Sequence, residues 1–157
     1  MPIIFIQTPI GIASITGDND GISEIKVLDD AVEISTEIPN EFEDVVSQIN
    51  DYFDGKLTTF SIKFNPKGTV FQQRVWQELC KIPFGKTVSY LDIAKKLGDP
   101  KTIRAAATAN GKNPLWIVVP CHRVIGTDGS LTGYAGGLWR KKWLLDHEST
   151  CKQQCLF

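Results

Sequence analysis

SYLDIAKKLGDPKTIRAAATAN, residues 89 to 110, decides what the second half of this chain builds. Ser89 with Asp92 three residues on is a helix-start signature: the serine oxygen accepts an orphan backbone N–H while the acidic side chain reaches back to the cap. Leu91, Ile93, Ala94 and Leu97 supply an apolar side, and Gly98 is the residue that takes a left-handed stop cheaply. Asp99 and Pro100 then start again, a capping carboxylate followed by the ring that suits a first helical turn. The spacing predicts two short helices joined by a tight Gly-containing turn, a helix-turn-helix pattern whose second member runs from Lys101 to Asn110. Alanines surround Arg104 in that member, so its surface is low enough for close approach to a groove wall while one long cation protrudes. Alanine is also the best helix former, and packing against neighbours is the competing use.

Upstream, Thr69 with Gln72 repeats the capping signature, and Phe71, Val75, Trp76, Leu79 and Ile82 form one stripe ending at Pro83-Phe84-Gly85. Before it, Asn65-Pro66-Lys67-Gly68 reads as a turn and a domain boundary. The style changes on its far side. Ile3 to Ile6, Ile10 to Ile15 and Gly21 to Val27 are β-branched runs bounded by turn residues, an antiparallel meander. Asn40, with Glu43 in a loose capping box, precedes Phe42, Val45, Val46, Ile49, Tyr52 and Phe53 at helical spacing, and Gly55 closes that helix over the sheet. Phe60, Ile62 and Phe64 alternate with polar residues as a last strand. The expected organisation is α+β: an N-terminal sheet domain with a covering helix over 1–65, then a mainly helical domain over 66–157.

Of the 157 residues 42% are hydrophobic, enough for a buried core, and the net charge is -1. That near-neutrality conceals an asymmetry. Residues 1–65 hold 3 Lys+Arg against 12 Asp+Glu, a balance of -9, and residues 66–157 hold 14 against 6, a balance of +8. A basic half is the footprint of a phosphate-binding surface, although two solvated faces would show the same imbalance. No apolar run approaches the roughly 18 residues of a membrane span and no basic leader opens the chain, so a cytoplasmic protein without membrane association is expected. There Cys80, Cys121, Cys151 and Cys155 stay reduced. Cys151 and Cys155 beside His147 have no second pair of donors elsewhere to complete a tetrahedral site, so no metal is expected.

The remaining chemistry lies in Ile117-Val118-Val119-Pro120-Cys121-His122-Arg123. The run from Trp116 to Val119 reads as a buried strand, and Pro120 cannot donate to a ladder, so pairing ends there and the thiol emerges at an edge. His122 and Arg123 beside it suggest an electropositive setting that lowers the thiol pKa, although a free cysteine is more often buried and inert. A thiol of pKa about 8.5 is already a few per cent ionised at neutral pH, so complete ionisation gains only about 30-fold. Positioning must supply the rest. In extended backbone Cys121 and His122 point to opposite faces. Either the chain turns at Pro120, a water links the two, or His147 serves instead.

Pro120-Cys121-His122-Arg123-Val124, preceded by Asn113-Pro114 and followed by Gly133 to Leu138 and Leu144 to Glu148, resembles the O6-alkylguanine-DNA alkyltransferases, the methylated-DNA protein-cysteine methyltransferases, and most closely the constitutive bacterial members. The likeness is densest from about Pro66 to Glu148 and includes Tyr52 to Leu57. It implies an RNase H-like first domain, a winged-helix-like second one, and single-use repair: Cys121 takes the alkyl group from O6-alkylguanine, and from O4-alkylthymine, in double-stranded DNA. The thioether formed has no hydrolytic exit. The same resemblance gives Glu148 the orienting of His122, His122 the role of base through water, and Tyr90 that of proton donor to the leaving guanine. Tyr134, with the backbone at Val124 and Ala135, would line the base pocket, and Asn113 would tie its loops. Arg104 would fill the stack behind a flipped nucleotide. Ala105, Ala106, Thr108, Ala109 and Asn110 would lie in the minor groove. A monomer without cofactor is implied.

Two departures stand out. Some relatives hold structural zinc in the first domain, whereas no Cys or His precedes Cys80 here. Trp116 stands where some relatives have a small residue or proline near the pocket mouth. The rivals are a noncatalytic lesion sensor or helix-turn-helix regulator, against which Cys121 speaks, and a cysteine hydrolase, which turnover would reveal.

Overall fold

A computed structural model describes residues 2–134 and 136–155, with the side chains of 151–155 excepted. The chain forms two units, one of residues 1–67 with Pro114–Trp116, the other of residues 68–113 with 117–157.

The first unit is the expected meander. β1 (Ile3–Thr8), β2 (Gly11–Asp18) and β3 (Gly21–Leu28) pair antiparallel in the order β1-β2-β3. α1 (Asn40–Phe53) buries Phe42, Val45, Ile49 and Tyr52, the stripe its 3.6-residue period predicts. Gly55 closes it at φ 78°. Two expectations fail. Pro39, not Asn40, is the N-cap, and no side chain caps the helix. Residues 60–64 form no strand: pairing there is a single parallel bridge between Ile22 and Phe64, because only Lys63 O and Asn65 N reach Ile22. A second bridge joins Ile25 to Leu115, which makes Pro114–Trp116 part of this unit, with Phe53 and Trp116 rings 6.1 Å apart.

The second unit holds α2 (Val70–Leu79), α3 (Tyr90–Lys96), α4 (Ile103–Gly111) and α5 (Leu138–Cys155). The capping boxes of Thr69 with Gln72 and Ser89 with Asp92 are both complete, and Gly98 takes φ 97° as the stop after α3. Asp99 caps a 3-10 turn over Pro100–Thr102 that leads into α4. Arg74 donates to Leu97 O and the Trp76 indole donates to Ala109 O at 2.9 Å, which pins α3 and α4 to α2. A two-residue parallel ladder, β4 (Val88–Ser89) with β5 (Val124–Ile125), joins the start of α3 to the Cys-His-Arg segment.

That segment is not the expected strand. Residues 116–119 are turn and bend, and Ile117 has φ 60°, the one non-glycine positive φ among the described residues. For a β-branched side chain this costs on the order of 1–3 kcal/mol, and Ile117, 1% exposed, is held there by burial. Cys121, His122 and Arg123 follow on a 3-10 turn capped by Pro120. The chain turns at Pro120, as one of the three alternatives required.

Candidate active site

The 3-10 turn brings three consecutive side chains to one buried place. Cys121, His122 and Arg123 are all buried, and the thiol does not stand at an open sheet edge. From α5 comes Glu148, 1% exposed, whose two oxygens are shared by His122 and Arg123. His122 Nε2 lies 2.6 Å from Glu148 Oε2, Arg123 Nε donates to Oε1 at 2.8 Å, and a second guanidinium nitrogen donates to Oε2 at 3.0 Å. The guanidinium also donates to Ile82 O at 2.8 Å. Burial alone would push Glu148 up, but the hydrogen bonds from His122 and Arg123, with the Arg123 charge, overcome it and hold the carboxyl far below its usual range.

An ionised carboxylate only accepts, so His122 Nε2 carries the hydrogen and Nδ1 keeps the lone pair. Nδ1 has no hydrogen-bond partner among the described residues, so it is not bonded directly to the thiol. Burial keeps the imidazole pKa low despite Glu148, and His122 rests neutral. The resting arrangement is a neutral base oriented by an Arg-paired carboxylate.

The expectation that Arg123 lowers the thiol pKa is overturned. Arg123 is bound to Glu148, and burial pushes the Cys121 thiol up. The opposing influences are the Asn113 side chain, which hydrogen-bonds Cys121, and the charge of Lys141. Asn113 also donates to Val119 O at 2.7 Å, so one amide holds both the loop and the sulfur.

Lys141 is the residue the sequence reading missed. It is 0% exposed, donates to Thr132 O at 2.9 Å, and stands over the Tyr90 ring at 5.8 Å. Burial drives its pKa down, and Cys121 opposes that shift. A signal existed: Lys141 falls with Leu144 and Glu148 on the inner stripe of α5, at i, i+3 and i+7. Tyr90, first residue of α3, donates to the same Thr132 O at 3.2 Å.

A pocket of about 510 Å³, a size suited to a small planar ligand, opens beside Tyr90 between α4 and residues 127–134, lined by Tyr90, Arg104, Ala107, Thr132, Gly133 and Tyr134; Cys121, His122 and Glu148 are not in its lining. Val124 is wholly buried in β5, and Ala135 lies outside the described residues. α4 presents Arg104, Ala105 and Thr108 outward, whereas Ala106, Ala109 and Asn110 are 1%, 2% and 3% exposed. The expectation that these last three side chains face DNA is therefore corrected: they fall on the inner side of the helix, against α2 and α3. His147 stacks on Trp143 with ring centroids 5.0 Å apart, and the histidine that meets Glu148 Oε2 at 2.6 Å is His122. Among the described residues no group of three or more His, Cys, Asp or Glu could hold a metal ion.

Comparison with known proteins finds matches over both halves of the chain. The family model "6-O-methylguanine DNA methyltransferase, ribonuclease-like domain" matches residues 3–66, and "6-O-methylguanine DNA methyltransferase, DNA binding domain" matches residues 70–150. The methylated-DNA–protein-cysteine methyltransferase of Mycobacterium bovis is 45% identical over 149 residues, 92% of this chain and 90% of its own. That of Methanosarcina mazei is 46% identical over 150 residues, covering 91% and 94%. The crystal structure of Mycobacterium tuberculosis OGT in complex with DNA superposes with a TM-score of 0.86 at 44% identity, over 95% of this chain and 93% of that one.

Proposed function

Because this chain belongs to the 6-O-methylguanine DNA methyltransferase family, we propose that it removes the alkyl group of O6-alkylguanine in DNA by passing it irreversibly to Cys121. The protein is a methylated-DNA–protein-cysteine methyltransferase and repairs DNA by alkyl transfer. The observation that carries the choice of residue is the burial of Cys121 next to a His122 whose Nε2 is held by Glu148 and whose Nδ1 lone pair is left for a proton.

In the proposed step His122 Nδ1 takes the Cys121 proton through a water, and the resulting imidazolium is balanced by Glu148. The thiolate attacks the alkyl carbon, the C–O6 bond breaks, and Tyr90 gives its hydroxyl proton to the departing guanine. Burial disfavours a resting thiolate, so the anion forms only when an electrophile is in place. The lesion reaches the pocket between Tyr90 and Tyr134 by flipping out of the duplex, at a cost of a few kcal/mol that weakened pairing reduces. Arg104 fills the stack it leaves, and α4 meets the minor groove through Ala105 and Thr108. Asn113 and the backbone of Val124 and Ala135 complete the base site, and O4-alkylthymine is a second substrate. We assign the chemistry to residues 66–157 and a supporting role to residues 1–65, in a protein acting as a monomer in the cytoplasm. No helix among the described residues is long and apolar enough to cross a membrane.

The test is an intact-mass spectrum after incubation with a methylated-guanine duplex. One added methyl, mapped to Cys121 and absent in Cys121→Ser, is expected. An unmodified protein that still binds the duplex would mark a lesion sensor, and many product equivalents per chain would mark a hydrolase.

A further inference from the structure

Asn110 carries an observation that the transfer reaction leaves unexplained. Its side chain is 3% exposed on the inner side of α4, where an apolar residue would pack at less cost. Its Oδ1 is buried without a hydrogen-bond partner among the described residues, yet the same side chain hydrogen-bonds the Tyr90 hydroxyl. With Oδ1 unengaged, the bond to Tyr90 runs through Nδ2, so Asn110 donates and the phenol oxygen accepts. A buried amide that leaves its acceptor stranded is retained for its donor.

The surroundings fix that donor. Trp76 Nε1 holds the carbonyl of the preceding residue, Ala109, at 2.9 Å, and the Ser89–Asp92 capping box sets the start of α3 at Tyr90. The Tyr90 hydrogen itself goes to Thr132 O at 3.2 Å, a carbonyl that also receives Lys141 Nζ at 2.9 Å. If Tyr90 withdraws its hydrogen, Thr132 O therefore keeps a partner. The phenol oxygen thus has one replaceable contact, its own donation to Thr132 O, and retained contacts from the side chains of Thr132 and Asn110. Burial, and after it a charge on Cys121, disfavour the phenolate, while hydrogen bonds from the side chains of Thr132 and Asn110 work against them.

We propose that Asn110 is a positioning residue for the proton donor of the transfer reaction: its side-chain N–H holds the Tyr90 oxygen, aims its hydrogen at the leaving guanine, and stabilises the phenolate left behind. The inference rests on the proton-donor role given to Tyr90 above. The protons balance: one leaves Cys121 for His122, one leaves Tyr90 for guanine, and the phenolate is later reprotonated from solvent as His122 gives its proton up.

Single-turnover methyl transfer from a methylated-guanine duplex should be measured for wild type, Asn110→Leu, Tyr90→Phe and the double variant, with the Tyr90 titration followed by NMR of ring-labelled tyrosine. Asn110→Leu removes the stranded acceptor with the donor, so the variant should melt no lower than wild type. It should transfer about tenfold more slowly, a part of the 10²–10⁴ typical of a general acid. Tyr90 should titrate higher in it, and adding it to Tyr90→Phe should cost nothing further. Equal losses in both backgrounds, or an unmoved Tyr90 titration, would overturn the proposal. If Tyr90→Phe transfers as fast as wild type, the proton-donor role falls and Asn110 with it. If Tyr90→Phe is slow and Asn110→Leu is not, only the Asn110 inference fails. Should Asn110→Leu not fold, Asn110→Asp gives the same reading: a carboxylate accepts where the amide donates, so Tyr90 must titrate higher and transfer must slow.

Discussion

At the scale of single residues, the site is built from groups whose burial opposes their charge. Unfolded His122 takes up a proton below about pH 6.5, whereas the buried folded imidazole, with its lowered pKa, resists protonation. Unfolded Glu148 is protonated below about pH 4.3, while the folded carboxylate holds on to its charge far below that. In both cases the unfolded chain binds more protons on the acid side, so stability is present near neutrality and falls as pH drops, first through about 6.5 and again through about 4.3. Denaturant unfolding at stepped pH checks this. Glu148→Gln should lose the lower step, and at neutral pH it should cost about 3–5 kcal/mol because Arg123 remains buried without its partner. Cys121 and His122 were legible because a proline, a thiol and an imidazole in succession are an unusual choice for a buried segment. The direction of the thiol shift was not legible, since burial and the pairing of Arg123 with a residue 25 positions away are three-dimensional facts.

At the scale of elements, capping chemistry was the most readable layer. Thr69, Ser89, Asp99 and Gly98 act within a few residues of themselves and appear as expected. The failures are segments whose fate is set by distant partners: 60–64 alternates like a strand but meets only Ile22, and the apolar run before Pro120 is buried without pairing as a strand. α4 was ambiguous for another reason. Alanines on every side erase the polar–apolar contrast from which a helix face is read. The observed faces differ in consequence. Ala106→Leu on the inner side should destabilise by about 1–3 kcal/mol through overpacking, whereas Ala105→Leu on the outer side should spare stability and weaken duplex binding. Arg104→Ala should slow repair of duplex far more than reaction with free alkylguanine base, measured as two single-turnover rates. Equal losses on both would remove Arg104 from the stack.

At the scale of the molecule, charge is divided as the chain is, -9 over residues 1–65 and +8 over 66–157. Binding to duplex should weaken steeply with salt, each neutralised phosphate contributing about 0.9 to the log–log slope, with little dependence on base sequence. Fluorescence anisotropy at several salt concentrations measures the slope. Neutralising Lys101 or Lys112, beside the outer stripe of α4, should reduce it by about 1 for each phosphate that then keeps its counterions.

The chain does not respect its own halves completely. Pro114–Trp116, covalently part of the later sequence, accepts the Ile25 N–H at 2.8 Å and donates back to Ile25 O at 3.1 Å, with Leu115 0% exposed. A polypeptide severed between Lys67 and Gly68 therefore yields two fragments, the shorter missing a rib of its own sheet and the longer carrying that rib orphaned. Separately expressed, they should behave as a split protein that regains its structure through complementation, not as two modules transplantable one at a time.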